Sequence, residues 1–202
     1  MRKSFLMMAI AGTFIFMPEA GRVAHAQSDT PKFEVGAQYS LLNFDTFAHF
    51  SKAHRRESGI GGRFTYNINE FVAAETQFDF FPHTDTERVG TIDVPLFGSK
   101  TLAVFGVKAG ARGKRFGVFG KARPGFIHFS GVPGIVCVAV VGVPCLQPAK
   151  TDFAFDVGGV LEYYPSRRIV VRVDAGDTII HHKRYFGTSS SFQSSVGVGV
   201  RF

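Results

Sequence analysis

The sequence predicts an all-β fold, an eight-stranded antiparallel β-barrel that crosses a membrane, and three observations carry that prediction. An export signal opens the chain, eight segments of about ten residues alternate apolar with polar side chains, and the connections between those segments alternate long with short. At 45% hydrophobic and 19% charged residues, the 202-residue chain is too apolar to be disordered and suits one folded unit.

The export signal comes first. Arg2 and Lys3 form a positive head, Phe5 to Met17 form an apolar core, and Ala24-His25-Ala26 is a small-x-small cleavage pattern. Pro18, Glu19, Gly21 and Arg22 end the apolar run where a cleavage region would begin. Residues 1–26 are therefore read as a cleaved signal peptide and 27–202 as the barrel domain. After this run nothing approaches the roughly 18 to 20 apolar residues of a spanning helix, which excludes a polytopic helical membrane protein. The formal charge of +7 hints at nucleic acid. Cleavage removes Arg2, Lys3, Arg22 and Glu19, lowering that charge by two, and export keeps the chain from nucleic acid.

The first segment, Phe33 to Asn43, sets Phe33, Val35, Ala37, Tyr39 and Leu41 against Glu34, Gly36, Gln38 and Ser40. The second, Gly59 to Ile68, sets Ile60, Phe64 and Tyr66 against Gly61, Arg63 and Thr65. The third, Phe71 to Phe81, sets Val72, Ala74, Phe78 and Phe80 against Glu75, Gln77 and Asp79. The fourth, Thr101 to Arg112, sets Ala103, Phe105, Val107 and Ala109 against Gly106, Lys108, Gly110 and Arg112. The fifth, Gly117 to Phe129, puts Lys121, Arg123 and Gly125 inward. Phe119, Ile127 and Phe129 fall on the same face and Pro124 interrupts the run, so a bulge near Pro124 is expected to change its phase. The sixth, Asp152 to Tyr164, opposes Phe155, Val157 and Leu161 to Asp156, Gly158 and Glu162. The seventh, Arg168 to Ile179, opposes Ile169, Val171 and Val173 to Arg172 and Asp174. The eighth, Phe192 to Phe202, is the clearest, with Phe192, Val196, Val198, Val200 and Phe202 against Gln193, Ser195, Gly197, Gly199 and Arg201.

Long connections are expected at Asp45 to Ser58, Pro82 to Lys100, Ser130 to Thr151 and Ile180 to Ser191, and short turns at Asn69-Glu70, Gly113 to Phe116 and Pro165 to Arg167. A soluble sandwich with one wet face also alternates, and a lipocalin-like barrel hides its apolar side chains inside. The signal, the alternation of loop lengths and the aromatic residues near segment ends (Phe71, Phe80, Phe81, Tyr163, Tyr164, Phe192 and Phe202) favour apolar faces turned to lipid. Closure of the eight strands satisfies the edges that lipid would leave without partners.

The terminal Val196-Gly197-Val198-Gly199-Val200-Arg201-Phe202, an aromatic end preceded by alternating apolar residues, resembles the pattern on which the outer-membrane assembly machinery acts. From Lys32 to Phe202 the chain resembles the small eight-stranded OmpA-like and OmpX-like outer-membrane barrels. The resemblance implies an outer membrane of the Gram-negative type, periplasmic termini, long surface loops, no cofactor, and Val198, Val200 and Phe202 as the assembly signal. The chain has no Trp for the girdles and no peptidoglycan-binding domain, so cell-wall anchoring does not transfer.

Thirteen charges are expected in the lumen: Arg63, Lys108, Arg112, Lys121, Arg123, Arg172 and Arg201 against Glu34, Glu75, Asp79, Asp156, Glu162 and Asp174. Such near-balance in a space only wide enough for side chains favours a paired polar plug over a narrow or gated pore. Lys52, Arg55, Arg56, Lys183 and Arg184 form an outer basic rim that suits lipopolysaccharide phosphates. Cys137 and Cys145 enclose CVAVVGVPC and can pair in an oxidising compartment, which would tether a loop at no more than about 2.5 kcal/mol; two independent thiols are the alternative. The surrounding loop, Gly131 to Pro148, is apolar for an exposed tip and reads either as a hairpin continuing the fifth and sixth strands or as an adhesive patch.

Catalysis is weighed because some outer-membrane barrels act on lipid A or peptides. His181, His182, Asp177, Ser189, Ser190 and Ser191 cluster near the last loop, but no spacing matches those enzymes, so no catalytic residue is assigned. His49, His54, His83, His128, His181 and His182 gather at the long-loop end without compact ligand spacing, so no metal site is assigned either. The expectation is a monomeric, non-enzymatic outer-membrane protein with a structural or surface-interaction role, contacting membrane lipid and an unidentified surface ligand.

Overall fold

The computed structural model describes residues 30–48, 51–83, 85–89, 92–133, 146–147, 149–182 and 187–202. The signal segment, His49, Cys137, Cys145, Lys183 and Arg184 lie outside the described residues, as do the side chains of Lys52, His54 and Arg55.

Twelve strands follow in chain order: β1 Phe33–Ala48, β2 Ser51–Asn67, β3 Val72–Phe81, β4 Asp85–Val89, β5 Ile92–Phe97, β6 Lys100–Arg112, β7 Phe116–Phe129, β8 Val132–Pro133, β9 Leu146–Gln147, β10 Lys150–Tyr163, β11 Ile169–His182 and β12 Gly187–Arg201. Eight of them, β1, β2, β3, β6, β7, β10, β11 and β12, close into one antiparallel barrel, each paired with its neighbour along the chain and β12 paired with β1. The closing seam is secured at its end by reciprocal bonds: the Phe33 N–H donates to Phe202 O at 2.8 Å and the Phe202 N–H to Phe33 O at 2.9 Å. Closure leaves the sheet without an open edge, which lipid requires.

Side chains alternate about this wall as its period of two demands. Val171, Val173, Val196, Val198 and Val200 point outward, while Arg172, Asp174, Ser195 and Arg201 are buried in the lumen. At the short-turn end, Phe33, Tyr66 and Phe202 pack as an outward aromatic cluster with ring centroids 5.3 Å (Phe33 to Tyr66) and 6.0 Å (Phe33 to Phe202) apart, and Phe116 lies 5.1 Å from Tyr163. Two of the aromatic residues expected at the membrane interfaces turn the other way: Phe81 and Tyr164 are buried inside the barrel.

Three expectations are corrected. The connection expected at Asp45 to Ser58 is mostly strand, since β1 and β2 stay in register from Phe33↔Tyr66 to Ala48↔Ser51. The β12 pairing ends at Asn43↔Phe192 and the β3 pairing at Ile60↔Phe80, so β1 and β2 continue past both neighbours as a two-stranded arm. Second, β7 has no bulge at Pro124. Its register with β10 is unbroken, and with β6 only the pairings of Arg123 and Pro124 drop out, where proline has no N–H to give. Phe119, Ile127 and Phe129 therefore do point inward. Third, the connection expected at Pro82 to Lys100 carries strands of its own, β4 paired with β5; within Gly131 to Pro148 the β8–β9 pairing continues the line of β7 and β10, as the hairpin reading of that loop expects.

The lumen is consequently layered. Leu42, Phe81, Leu102, Val104, Ile127, Phe129, Ala154 and Ile180 form an apolar layer toward the long-loop end, and charged and amide side chains fill the space below it.

Candidate functional site: the lumen and its extracellular mouth

The lumen charges reach each other because inward positions recur every second residue on strands that face one another across a narrow barrel. Of the thirteen named from the sequence, twelve are buried and Arg112 is half-buried. Glu75 is the hub. Its carboxylate accepts from Arg172 Nη2 at 2.8 Å, from a second Arg172 nitrogen and from Arg123, with Thr65 Oγ1 at 3.3 Å and Lys108 Nζ at 3.9 Å. Arg172 also grips Asp174, donating Nε to Oδ2 at 2.8 Å and Nη2 to Oδ1 at 2.7 Å. Asp156 accepts from Arg123 Nε at 2.7 Å and has Lys121 Nζ at 3.1 Å. Lys108 pairs with Glu162, which also accepts the Tyr164 hydroxyl at 2.6 Å.

Asp79 is held differently, by four uncharged donors: Gln38 at 2.7 Å, Ser40 at 2.9 Å, Gln77 at 2.5 Å and Gln193 at 3.1 Å. Gly61 makes room for this arrangement, since a Cβ there would sit 2.1 Å from Asp79 Oδ1. Arg63 bridges the amide and charge layers, donating to Gln38 Oε1 at 2.8 Å and lying 3.4 Å from Asp174 Oδ2. Glu34 is buried with no hydrogen-bond partner for either carboxylate oxygen, so the network does not absorb it.

Sequence reasoning missed the buried pair Lys100 and Glu57, set within the apolar layer, and the amides around Asp79. Parity could have found the pair. Glu57 shares the face of Gly59, Gly61 and Arg63, while the expected connection from Asp45 to Ser58 takes it out of the strand.

At the short-turn mouth a cavity of about 630 Å³ is lined by Arg112, Lys114, Arg115, Tyr164, Arg167 and Arg201. The Arg201 guanidinium lies 4.3 Å from the centre of the Tyr164 ring, a cation–π contact that covers the floor of the charge network.

At the long-loop mouth the cross-strand register assembles a second polar group. Asp152 on β10, His182 on β11 and Ser189 on β12 all face inward and are buried. His182 Nδ1 is 2.8 Å from Asp152 Oδ2, and His182 Nε2 is 3.0 Å from Ser189 Oγ. Among the described residues of β10 and β12, the last outward apolar side chains before this level are Phe153 and Phe192. Lys150 Nζ lies 3.3 Å from the same Asp152 oxygen. The other members of the sequence cluster do not join: Asp177, His181 and Ser190 face outward, and Ser191 is buried with no bond to its hydroxyl. His83 and His128 are exposed, and among the described residues no three potential ligands gather as a metal site.

A closed antiparallel barrel with a lipid-facing apolar wall and a charged interior defines an outer-membrane β-barrel protein. The family described as outer membrane protein beta-barrel domain matches residues 11–202, and the chain belongs to it. Among solved structures it is similar to Ail, the attachment invasion locus protein of Yersinia pestis, in complex with the heparin analogue sucrose octasulfate: 17% identity over 86% of this chain and 99% of that one, with a TM-score of 0.57. It is also similar to Neisserial surface protein A, at 14% identity over 84% of this chain and 97% of that one, with a TM-score of 0.52. At these identities the likeness is one of fold. No curated protein matches the chain.

Proposed function

We propose that this protein is a non-conducting outer-membrane barrel with a structural or surface-interaction role, making its contacts at the extracellular end. In this reading residues 1–26 export the chain, Val198, Val200 and Phe202 present it to the assembly machinery, and it works as a monomer. The observation that carries the reading is the lumen network. Glu75, Arg172, Arg123, Asp174 and Asp156 bond one another across the barrel, and the apolar layer stands above them, so an ion would have to displace paired charges and cross side chains packed against each other. Planar bilayers test it directly. The purified barrel is expected to show leak-level conductance, and resolved single-channel steps would overturn the reading.

For the surface contact we propose anionic ligands, with lipopolysaccharide phosphate as the first, held by Lys52, Arg55, Arg56, Lys183 and Arg184. The arm formed by β1 and β2 supports this, because it carries Lys52, Arg55 and Arg56 past the ends of its neighbours, and Arg56 is exposed. The sulfated ligand of Ail points the same way for a barrel of this fold. Reversing the five charges is expected to reduce lipopolysaccharide co-purification several-fold; unchanged co-purification would remove lipid phosphate from the proposal.

A further inference from the structure

We infer that Asp152, His182 and Ser189 form a nucleophile relay at the extracellular mouth, able to hydrolyse carboxylic esters that carry an apolar acyl group. This goes beyond the surface role, and it revises the expectation of no catalytic residue for a geometric reason: Asp152 stands 30 residues from His182, Ser189 seven from it, and the barrel register brings the three side chains into a line. Asp152 and His182 sit one residue beyond Phe153 and His181, the last cross-strand pair of β10 and β11, and their side chains meet there. Ser189 is the diagonal neighbour of His182, across from Ile180.

Each contact has the polarity that the chemistry needs. With Nδ1–H donated to the Asp152 carboxylate at 2.8 Å, His182 is held in the tautomer whose Nε2 carries a lone pair, and that lone pair faces the Ser189 hydroxyl at 3.0 Å. The site also has a candidate oxyanion donor. Along β12 the even-numbered N–H groups turn toward β1, as the Phe202 bond to Phe33 shows, and pairing with β1 ends at Phe192. Ser190, the residue after the nucleophile, therefore has its N–H on a side of the strand without a register partner. Donors from that position serve tetrahedral intermediates in other serine hydrolases. Directly below the three polar groups, Ile180 and Ala154 begin the apolar layer, which gives the acyl group an apolar wall.

The reaction balances with water alone. Ser189 Oγ attacks the ester carbonyl carbon while His182 Nε2 takes its proton. The carbon–alkoxide bond breaks, and the leaving alkoxide takes that proton from Nε2 and departs as the alcohol. Water then attacks the acyl-Ser189 carbonyl, its proton passing through Nε2 to Ser189 Oγ as the acid leaves.

The test is covalent labelling with a fluorophosphonate, followed by intact mass and peptide mapping, on refolded full-length barrel. Each variant is first required to show heat-modifiable migration, so that misfolding cannot pass for loss of the site. One adduct on Ser189 is expected in the wild type, none in Ser189→Ala, an unchanged rate in Ser191→Ala, and a rate lower by at least about 10²-fold in His182→Gln. Absence of a Ser189 adduct in folded wild type would overturn the inference, as would equal labelling of wild type and His182→Gln. Hydrolysis of p-nitrophenyl butyrate should follow the same order among the variants.

Discussion

Glu75 on β3 and Arg172 on β11 meet across the lumen, 97 residues apart in the chain, through two nitrogens of one guanidinium on two oxygens of one carboxylate. Arg123 and Lys108 share the same carboxylate, so this one acidic side chain answers cations from three other strands.

Loss of that carboxylate is expected to be costly. Glu75→Ala leaves Arg172 with Asp174 but strips Arg123 and Lys108 of one partner each inside a space closed to water. Breaking a buried pair in this way costs about 3 to 5 kcal/mol. The midpoint of the heat-dependent gel shift should fall clearly below wild type, while Glu70→Ala, at an exposed turn, should leave it unmoved.

Wild-type protein from isolated outer membranes should migrate faster unboiled than boiled, because the closed barrel resists detergent until heated. A soluble periplasmic protein without that shift would mean that the apolar face does not meet lipid.

Removing Phe202 should slow assembly more than it lowers final stability. It deletes the last reciprocal backbone pair of the β1–β12 seam and the ring packed beside Phe33. The measurement is the rate at which urea-unfolded chain becomes heat-modifiable in lipid vesicles, expected to fall several-fold.

Cys137 and Cys145 lie outside the described residues, and their pairing is settled chemically. Intact mass should increase by two hydrogens on reduction; alkylation of both thiols without a reductant would show them independent.

The sequence by itself determined the barrel, its strand number and the direction of nearly every spanning side chain. A period of two, repeated eight times with apolar residues on one face, leaves few other ways to satisfy backbone and side chains in lipid. Parity also marks Phe119, Ile127 and Phe129 as inward, although their apolar character in a polar lumen made a change of phase at Pro124 look necessary. Only the tertiary structure decided what each inward residue meets. Partners such as Glu75 with Arg172, the four donors around Asp79, and the line from Asp152 through His182 to Ser189 depend on strand register and on which strands face each other. Those are fixed when the wall closes between β1 and β12, and no local pattern along the chain encodes them.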